Sequence, residues 1–179
     1  MCAVYSVSEK LLARPITEAD TDMVVMWRNN PRVVNNFLHR EKVTREDHLN
    51  WLRTRVEPGI VDQLVVYEAG SGETDAERLE SGRPIGCVYL RDIDHDAGNC
   101  EYGVFIGEDD CTGHGYGNEI ASWAVGYARD HLHLTKMILR VLEGNESAYR
   151  SYLRAGFVPV EKIPDYIDGR DLIMMEREL

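Results

Sequence analysis

The stretch CTGHGYGNEI, residues 111–120, sets three glycines (Gly113, Gly115 and Gly117) at alternate positions just before a segment with helical periodicity. A strand-like segment, EYGVFIG at residues 101–107, precedes it. A glycine loop between a strand and a helix brings unpaired backbone N–H groups to the positive end of the helix, which favours binding of a phosphate group. The spacing is neither the G-x-G-x-x-G dinucleotide fingerprint nor a P-loop, which requires Gly-Lys-Ser/Thr. A mobile glycine turn is the alternative when the stretch is taken alone.

The composition is that of one ordinary domain spanning residues 1–179. The net charge of −11 disfavours a nucleic-acid partner, which needs a basic surface, and is compatible with a cationic partner such as an amine. No apolar run approaches the roughly 20 residues that cross a bilayer, so no membrane association is expected. The four cysteines are scattered without a C-x-x-C pair, which favours reduced thiols in a cytoplasmic protein and no metal site.

Apolar periodicity predicts seven strands and four helices in the order β-α-α-β-β-β-α-β-α-β-β. The predicted strands are KLLARPI, QLVVYEA, PIGCVYLRDI, NCEYGVFIG, MILRVL, FVPVEKI and DLIMMERE. Thr17 with Asp20, and Thr44, are placed to begin the first two helices. The second to fourth strands are joined by polar links and predict an antiparallel meander, and the whole order predicts a mixed sheet with helices.

A second motif, NESAYRSYLRAGF at residues 145–157, follows the fifth predicted strand. Asn145 is predicted to cap this helix and Gly156 to end it. Asn145 and Tyr152 are separated by almost two helical turns, so they lie about 20° apart on one face, with Tyr149 nearby. Packing of the two tyrosines into the core is the alternative to a functional role.

Together with the strand before them, TGHGYGNE and NESAYRSYLRAGF resemble the GCN5-related N-acetyltransferase (GNAT) superfamily. LLARPITEAD and GRDLIMMERE are similar to the branch of ribosomal-protein and spermidine acetyltransferases, and MWRNNPRV with EDHLNWL is similar to enzymes that acetylate amino sugars. The resemblance implies an α/β fold whose central mixed, mostly antiparallel sheet has about seven strands flanked by four helices, with a splay between the fourth and fifth strands. It also implies a single N-acetyltransferase domain with acetyl-CoA as co-substrate and no metal.

The resemblance further implies which residues hold acetyl-CoA. The fourth strand would bind the pantetheine arm, and the glycine loop with the helix after it would bind the pyrophosphate. The implied cofactor-binding residues are Val104, Phe105, Ile106, Gly113, His114, Gly115, Tyr116, Gly117, Asn118, Asn145 and Tyr152. Thr112 stands where the family has Gln or Arg, so the phosphates would be held by backbone N–H groups of Gly113, Gly115, Gly117 and Asn118.

The implied catalytic residues are Tyr152 and Glu101. Tyr152 matches the family tyrosine that protonates the coenzyme A thiolate, and a phenol with a pKa of about 10 is a plausible donor to a thiolate. Glu101 is the first candidate for the base because strand alternation places it on one face with Gly103. An ordinary solvent-facing strand glutamate is the alternative interpretation of Glu101.

The acceptor is expected to contact the end of the first helix, at Trp27, Arg28 and Asn29. Core packing of Trp27 and a surface ion pair of Arg28 are the alternatives. Arg28 in the pocket would favour a phosphate-bearing amino sugar, whereas carboxylates of residues 41–47 would favour a polyamine or a basic peptide terminus.

We therefore expect an acetyl-CoA-dependent N-acetyltransferase that transfers the acetyl group directly to a primary amine of a small molecule, such as a polyamine, an amino sugar or an aminoglycoside. A protein N-terminal or ribosomal-protein acetyltransferase is one alternative, and a non-catalytic acyl-CoA-binding sensor is another. A homodimer is compatible with each of these functions.

Overall fold

The computed structural model describes residues 3–179, which form one eight-stranded sheet covered by helices on both faces. The strands are β1 (Tyr5–Ser6), β2 (Leu11–Pro15), β3 (Val61–Glu68), β4 (Arg83–Asp94), β5 (Asn99–Ile106), β6 (Lys136–Leu142), β7 (Val158–Ile167) and β8 (Arg170–Glu178). The helices are α1 (Thr21–Arg28), α2 (Pro31–Val34), α3 (Arg45–Trp51), α4 (Asp75–Glu80), α5 (Tyr116–Asp130) and α6 (Glu146–Arg154). A π-helical turn over Leu52–Val56 continues α3, and 3-10 turns cover Glu18–Asp20 and Asp109–Cys111.

The strand order is β1-β2-β3-β4-β5-β6-β8-β7. Strands β3 to β5 form the predicted antiparallel meander, and β5 pairs with β6 in parallel, with α5 as the crossover between them. The pairing of β5 with β6 ends at Glu101 and Ile138, although the two strands run on to Ile106 and Leu142. The predicted splay between these strands is therefore confirmed, and it opens toward their carboxyl ends.

Two apolar cores cover the two faces of the sheet. On one face, α5 and α6 contribute Ile120, Ala124 and Tyr152. The other face, here called the α1 face, is covered by the first three helices, and α1 and α2 contribute Val24, Trp27 and Val33 to its core. Alternation along β5 sends Tyr102 to the α5 core and Phe105 to the α1 face. Glu101 and Gly103 share the parity of Phe105, so the one face that they were predicted to share is the α1 face.

The predicted helix starts are present, and the missed elements are short. Thr17 and Asp20 form a capping box that begins the turn before α1, and Thr44 caps α3. The prediction of seven strands and four helices missed β1, α2 and α4, which have two, four and six residues. Segments of this length show no periodicity. The capping box at Thr74 is the local signal that marks α4.

Candidate active site

The open edge of β5 beyond Glu101 is the central feature of the site. On its other side β5 stays paired with β4 as far as Ile106. Backbone groups of residues 102–106 that point toward β6 therefore have no strand partner. Arg32 donates from Nη2 to the carbonyl oxygen of Ile106 at 2.9 Å and holds the far end of this edge. Residues 104–106, predicted to bind pantetheine, all lie on this open edge.

The glycine loop leads from β5 into the first turn of α5. Gly113 and Gly115 have φ values of +80° and +84°, which glycine adopts without strain. Gly117 lies within the first turn of α5, which begins at Tyr116, so the N–H groups of Tyr116 and Gly117 have no intrahelical partner. The N–H of Asn118 donates to the carbonyl oxygen of Gly115 at 3.0 Å. That bond corrects the expectation that the Asn118 N–H is free for a phosphate.

The side chains of the loop are used mainly for structure. The hydroxyl of Thr112 donates to the carbonyl oxygen of Asp109 at 2.8 Å and closes the preceding turn. The hydroxyl of Tyr116 donates to Glu68 at 2.6 Å, and this bond raises the pKa of Tyr116 to about 12. His114 is exposed, with its ring edge-on to that of Tyr116. The loop therefore offers backbone N–H groups and the exposed His114 to an anion.

Tyr152 lies on α6 with its ring buried against the sheet. The ring meets Tyr102 edge-on at a centroid distance of 5.9 Å and lies 6.2 Å from Phe157. Because Tyr102 is the first residue of the open edge, this contact places Tyr152 beside the splay. Burial raises the pKa of Tyr152 to about 12, so the phenol is protonated at neutral pH. Asn145 caps α6 by accepting from the N–H of Ala148, as predicted.

Glu101 lies where β5 and β6 separate, and only 8% of its surface is exposed. Arg91 on β4 donates to its Oε1, and Arg140 on β6 donates to Oε1 at 2.9 Å and to Oε2 at 3.1 Å. Glu101 is therefore the centre of a buried ion-pair cluster and not a solvent-facing glutamate. A base at this position would share its oxygens with two guanidinium groups.

Two of the three predicted acceptor residues hold the structure together. Trp27 is buried, and its indole N–H donates to Glu108 at 2.7 Å while its ring lies directly above Gly107. The side chain of Asn29 accepts from the N–H of Val43 at 2.9 Å and donates to its carbonyl oxygen at 2.7 Å. Asn29 thus fixes the segment between α2 and α3.

Arg28, the third predicted residue, lies among polar groups that sequence reasoning missed. Its guanidinium carbon is 4.0 Å from the ring centroid of Phe37 on the α1 face. His48 from α3 and Tyr89 from β4 are buried on the same face. Burial, followed by the charge of Arg28, lowers the pKa of His48, and burial raises the pKa of Tyr89. No spacing rule links residues from α1, α3 and β4, so only the packing brings them together.

An open cleft of about 570 Å³ lies beside the end of β5. Its lining comprises Met26, Trp27, Asn29, Asn30, Arg83 and residues 107–110. Its carboxylates are paired with arginines, Arg83 with Glu108 and Asp110, and Arg32 with Asp109. These ion pairs tie α2 and β4 to the approach of the glycine loop. This network was not predicted from the sequence, although the acidic run EDD at residues 108–110 is a signal for it.

Within residues 3–179, no group of three or more His, Cys, Asp or Glu side chains is arranged to hold a metal ion. No helix in the same range is long and apolar enough to cross a bilayer. Cys87, Cys100 and Cys111 are buried thiols that form no disulfide. Burial raises the pKa of Cys111 to about 11.

Comparison with known proteins agrees with this architecture. The family described as acetyltransferase (GNAT) domain matches residues 10–158. The Vibrio cholerae spermidine N-acetyltransferase in complex with CoA and spermine has a TM-score of 0.82 and 19% identity, covering 96% of each chain. The dodecameric form of that enzyme in an intermediate state has a TM-score of 0.76 and 20% identity, covering 96% of this chain and 95% of the other. Both of these neighbours are spermidine N-acetyltransferases, the kind of enzyme whose branch the sequence resembles.

A solved domain from Methanocaldococcus jannaschii has a TM-score of 0.76 and 22% identity, covering 95% of this chain and 99% of the other. An uncharacterized protein of the same organism is 24% identical over 162 residues, which is 90% of this chain. The chain spans 31% of the length of that relative. At these identities the likeness shows the fold, and the expected fold class is confirmed.

Proposed function

Since the chain belongs to the GNAT acetyltransferase domain family, we propose that it transfers the acetyl group of acetyl-CoA directly to a primary amine of a small molecule. The observation that carries the proposal is the open edge of β5, which runs from the splay toward the glycine loop at the start of α5. An extended pantetheine arm can add to a strand edge, and a pyrophosphate suits a helix N-terminus. The proposed cofactor contacts are residues 104–106 and 113–117, with Asn145 and Tyr152 on or next to α6.

In the proposed reaction, the neutral amine nitrogen attacks the thioester carbonyl, and the C–S bond breaks as the C–N bond is completed. Backbone N–H groups on the open edge stabilise the developing oxyanion, an effect typically worth about 3 kcal/mol. Tyr152 donates its phenolic proton toward the departing thiolate, which leaves as the coenzyme A thiol. The proton of the attacking nitrogen passes through a water molecule to Glu101, so one proton leaves the amine and one reaches the sulfur.

Direct transfer is favoured over an acyl-cysteine intermediate by the surroundings of Cys111, the cysteine next to the loop. Its side chain is 3% exposed, and burial raises its pKa to about 11. The thiolate, which is the nucleophilic form, is therefore scarce at neutral pH. A stable acetyl adduct on Cys111 that formed at the turnover rate would contradict direct transfer.

The remaining features of the proposal concern compartment and assembly. Cys87, Cys100 and Cys111 are unpaired thiols, which supports a reducing compartment such as the cytoplasm. A spermidine N-acetyltransferase of this fold is dodecameric, so we propose that this chain is a single N-acetyltransferase domain that forms a homodimer or a larger homo-oligomer.

The test is acetyl-CoA binding by calorimetry, followed by thiol release in the same sample with polyamines, amino sugars, aminoglycosides and short peptides as acceptors. Binding with turnover on a small amine is the expected result. Turnover on peptides alone would assign a protein N-terminal or ribosomal-protein acceptor instead. Binding without any turnover would indicate the acyl-CoA sensor, and absence of binding would refute the cofactor assignment.

A further inference from the structure

On the α1 face, the buried polar atoms without a hydrogen-bond partner within residues 3–179 include one each from Arg28, His48 and Tyr89. These three are Nε of Arg28, Nε2 of His48 and the hydroxyl oxygen of Tyr89. His48 and Tyr89 are 5% and 8% exposed, so both side chains are more than nine-tenths buried. Buried polar atoms are nearly always paired in native proteins because an unpaired one loses its hydration without compensation. Three such atoms on one face of the sheet indicate that a ligand completes them.

Arg28 lies near both His48 and Tyr89. Its guanidinium lies over Phe37, whose ring is 5.7 Å from that of Phe105, and Tyr89 lies 5.9 Å from the same Phe105 ring. Burial is the larger cause of the lowered pKa of His48, and the charge of Arg28 is the second. Burial raises the pKa of Tyr89, and the charge of Arg28 opposes that rise. Arg28 is therefore near both groups. Its contact with Tyr89 is close enough to oppose the rise in the pKa of that phenol as a hydrogen bond does, although neither Nε of Arg28 nor the Tyr89 hydroxyl makes a hydrogen bond of regular geometry.

All three groups can act as donors. A guanidinium has five N–H groups and no acceptor, and a phenol whose pKa is raised keeps its proton. Nδ1 of His48 lies 3.1 Å from the hydroxyl oxygen of Thr21. When Thr21 donates to Nδ1, the imidazole proton is on the unpaired Nε2. Three donors on one face of the sheet, one of them a cation, are complementary to an anionic oxygen-rich group.

The nearby carboxylates already have partners. Asp20 is the acidic group that acts on the pKa of His48, and Arg14 binds it through two hydrogen bonds of 2.8 and 2.7 Å. Glu101 is bound by two other arginines. The positive charge of Arg28 is therefore available to a ligand.

We infer that the acceptor amine also carries an anionic group, a phosphate or a carboxylate, which binds to Arg28, His48 and Tyr89. The inference rests on the proposed function and names the class of acceptor. The carboxylates that would favour a polyamine, in residues 41–47, are exposed, and Asp47 serves as part of the cap of α3. The net charge of −11 repels an anion only weakly at this site, because salt screens the charges that lie more than about 8 Å away.

The position of this site suits a small acceptor. Tyr89 pairs directly with Gly103, on the open edge of β5. Neighbouring strands are about 5 Å apart, so the anion site and a thioester on the far edge of β5 are separated by about 5 to 10 Å. An amino sugar phosphate or an amino acid spans this distance between its amine and its anionic group.

The experiment compares matched acceptors that differ in the anionic group, with thiol release as the assay. Glucosamine is compared with glucosamine 6-phosphate, and putrescine with ornithine, for the wild type, Arg28→Gln and a control, Arg53→Gln. Arg53 is exposed next to α3, so the control removes the same charge outside the site. We expect kcat/KM to be about 10- to 100-fold higher for the anionic member of a pair, as for other hydrogen bonds to charged groups. Arg28→Gln should remove that advantage without changing acetyl-CoA binding, and Arg53→Gln should keep it.

The outcomes separate this inference from the proposed function. A larger gain in kcat/KM in the glucosamine pair identifies the anionic group of the acceptor as a phosphate. A larger gain in the putrescine and ornithine pair identifies it as a carboxylate. Equal rates within both pairs, preference for putrescine, or the same loss in both variants would overturn the inference. If no acceptor is acetylated, the proposed function fails for this panel. The anion site is then tested separately, by calorimetry of glucosamine 6-phosphate binding at saturating coenzyme A. Binding that depends on Arg28 supports it, and no binding refutes it.

Discussion

Replacing Tyr152 with phenylalanine removes one hydroxyl from the proposed site and keeps the ring. The ring packs edge-on against Tyr102, and Phe retains that contact. Burial is the cause of the raised pKa of Tyr152, with no hydrogen bond contributing to it. The hydroxyl therefore adds little to stability, and we expect Tyr152→Phe to leave the free energy of unfolding unchanged or to raise it by up to about 1 kcal/mol.

The expected effect on the rate follows from the pKa of the phenol. General acids typically contribute about 10²- to 10⁴-fold to a reaction. The pKa of Tyr152 is about 12, above the value of about 8.5 for an ordinary thiol, so complete proton transfer to the thiolate is uphill. We therefore expect the lower end of the range, a loss of about 100-fold in kcat, or about 2.7 kcal/mol in the barrier. The dissociation constant of acetyl-CoA should be unchanged.

The assay is thiol release at saturating acetyl-CoA and acceptor, with calorimetry for cofactor binding and urea unfolding for stability. Tyr149→Phe is the matched control, because it removes a hydroxyl from the same helix at a less buried position. Unchanged kcat in Tyr152→Phe would remove Tyr152 from the role of proton donor. An equal loss in Tyr149→Phe would show that the effect is not specific to the site.

Three further predictions test the loop, the buried histidine and the packing of α1. Gly117→Val should raise the dissociation constant of acetyl-CoA by about tenfold or more, because the side chain blocks the approach of the pyrophosphate to the backbone. Gly126→Val, in open space on the same helix, should leave that constant unchanged. Equal weakening of binding by both variants in calorimetry would contradict the pyrophosphate assignment. Burial lowers the pKa of His48 from 6.5, so below that pH the unfolded chain takes up a proton that the folded chain does not. The free energy of unfolding should therefore fall as the pH drops below 6.5. His48→Asn should flatten this dependence of the free energy on pH, as measured by urea unfolding. Gly107→Ala would place a methyl group 2.2 Å from the ring of Trp27 and should lower the free energy of unfolding by about 1–3 kcal/mol; an unaltered urea midpoint would show that the ring can move.

Local features of the fold followed from the sequence because each depends on residues close together in the chain. The capping residues Thr17, Thr44 and Asn145 begin the helices as expected, since a cap is a contact within three or four residues. Alternation along β5 placed Glu101 and Gly103 on one face for the same reason. The exceptions, such as the two-residue β1, are too short for a pattern and exist through pairing with β2.

The surroundings of the candidate site were decided by the tertiary structure. Glu101 was identified from its strand, but its partners Arg91 and Arg140 lie 10 and 39 residues away in sequence. Arg28 was singled out at the end of a helix, yet its unpaired neighbours His48 and Tyr89 come from separate elements. A sequence pattern determines the face on which a side chain lies, because the period of its own helix or strand sets that face. It does not determine which side chains of other elements share that face, because crossing angles and strand register depend on the packing of the whole core.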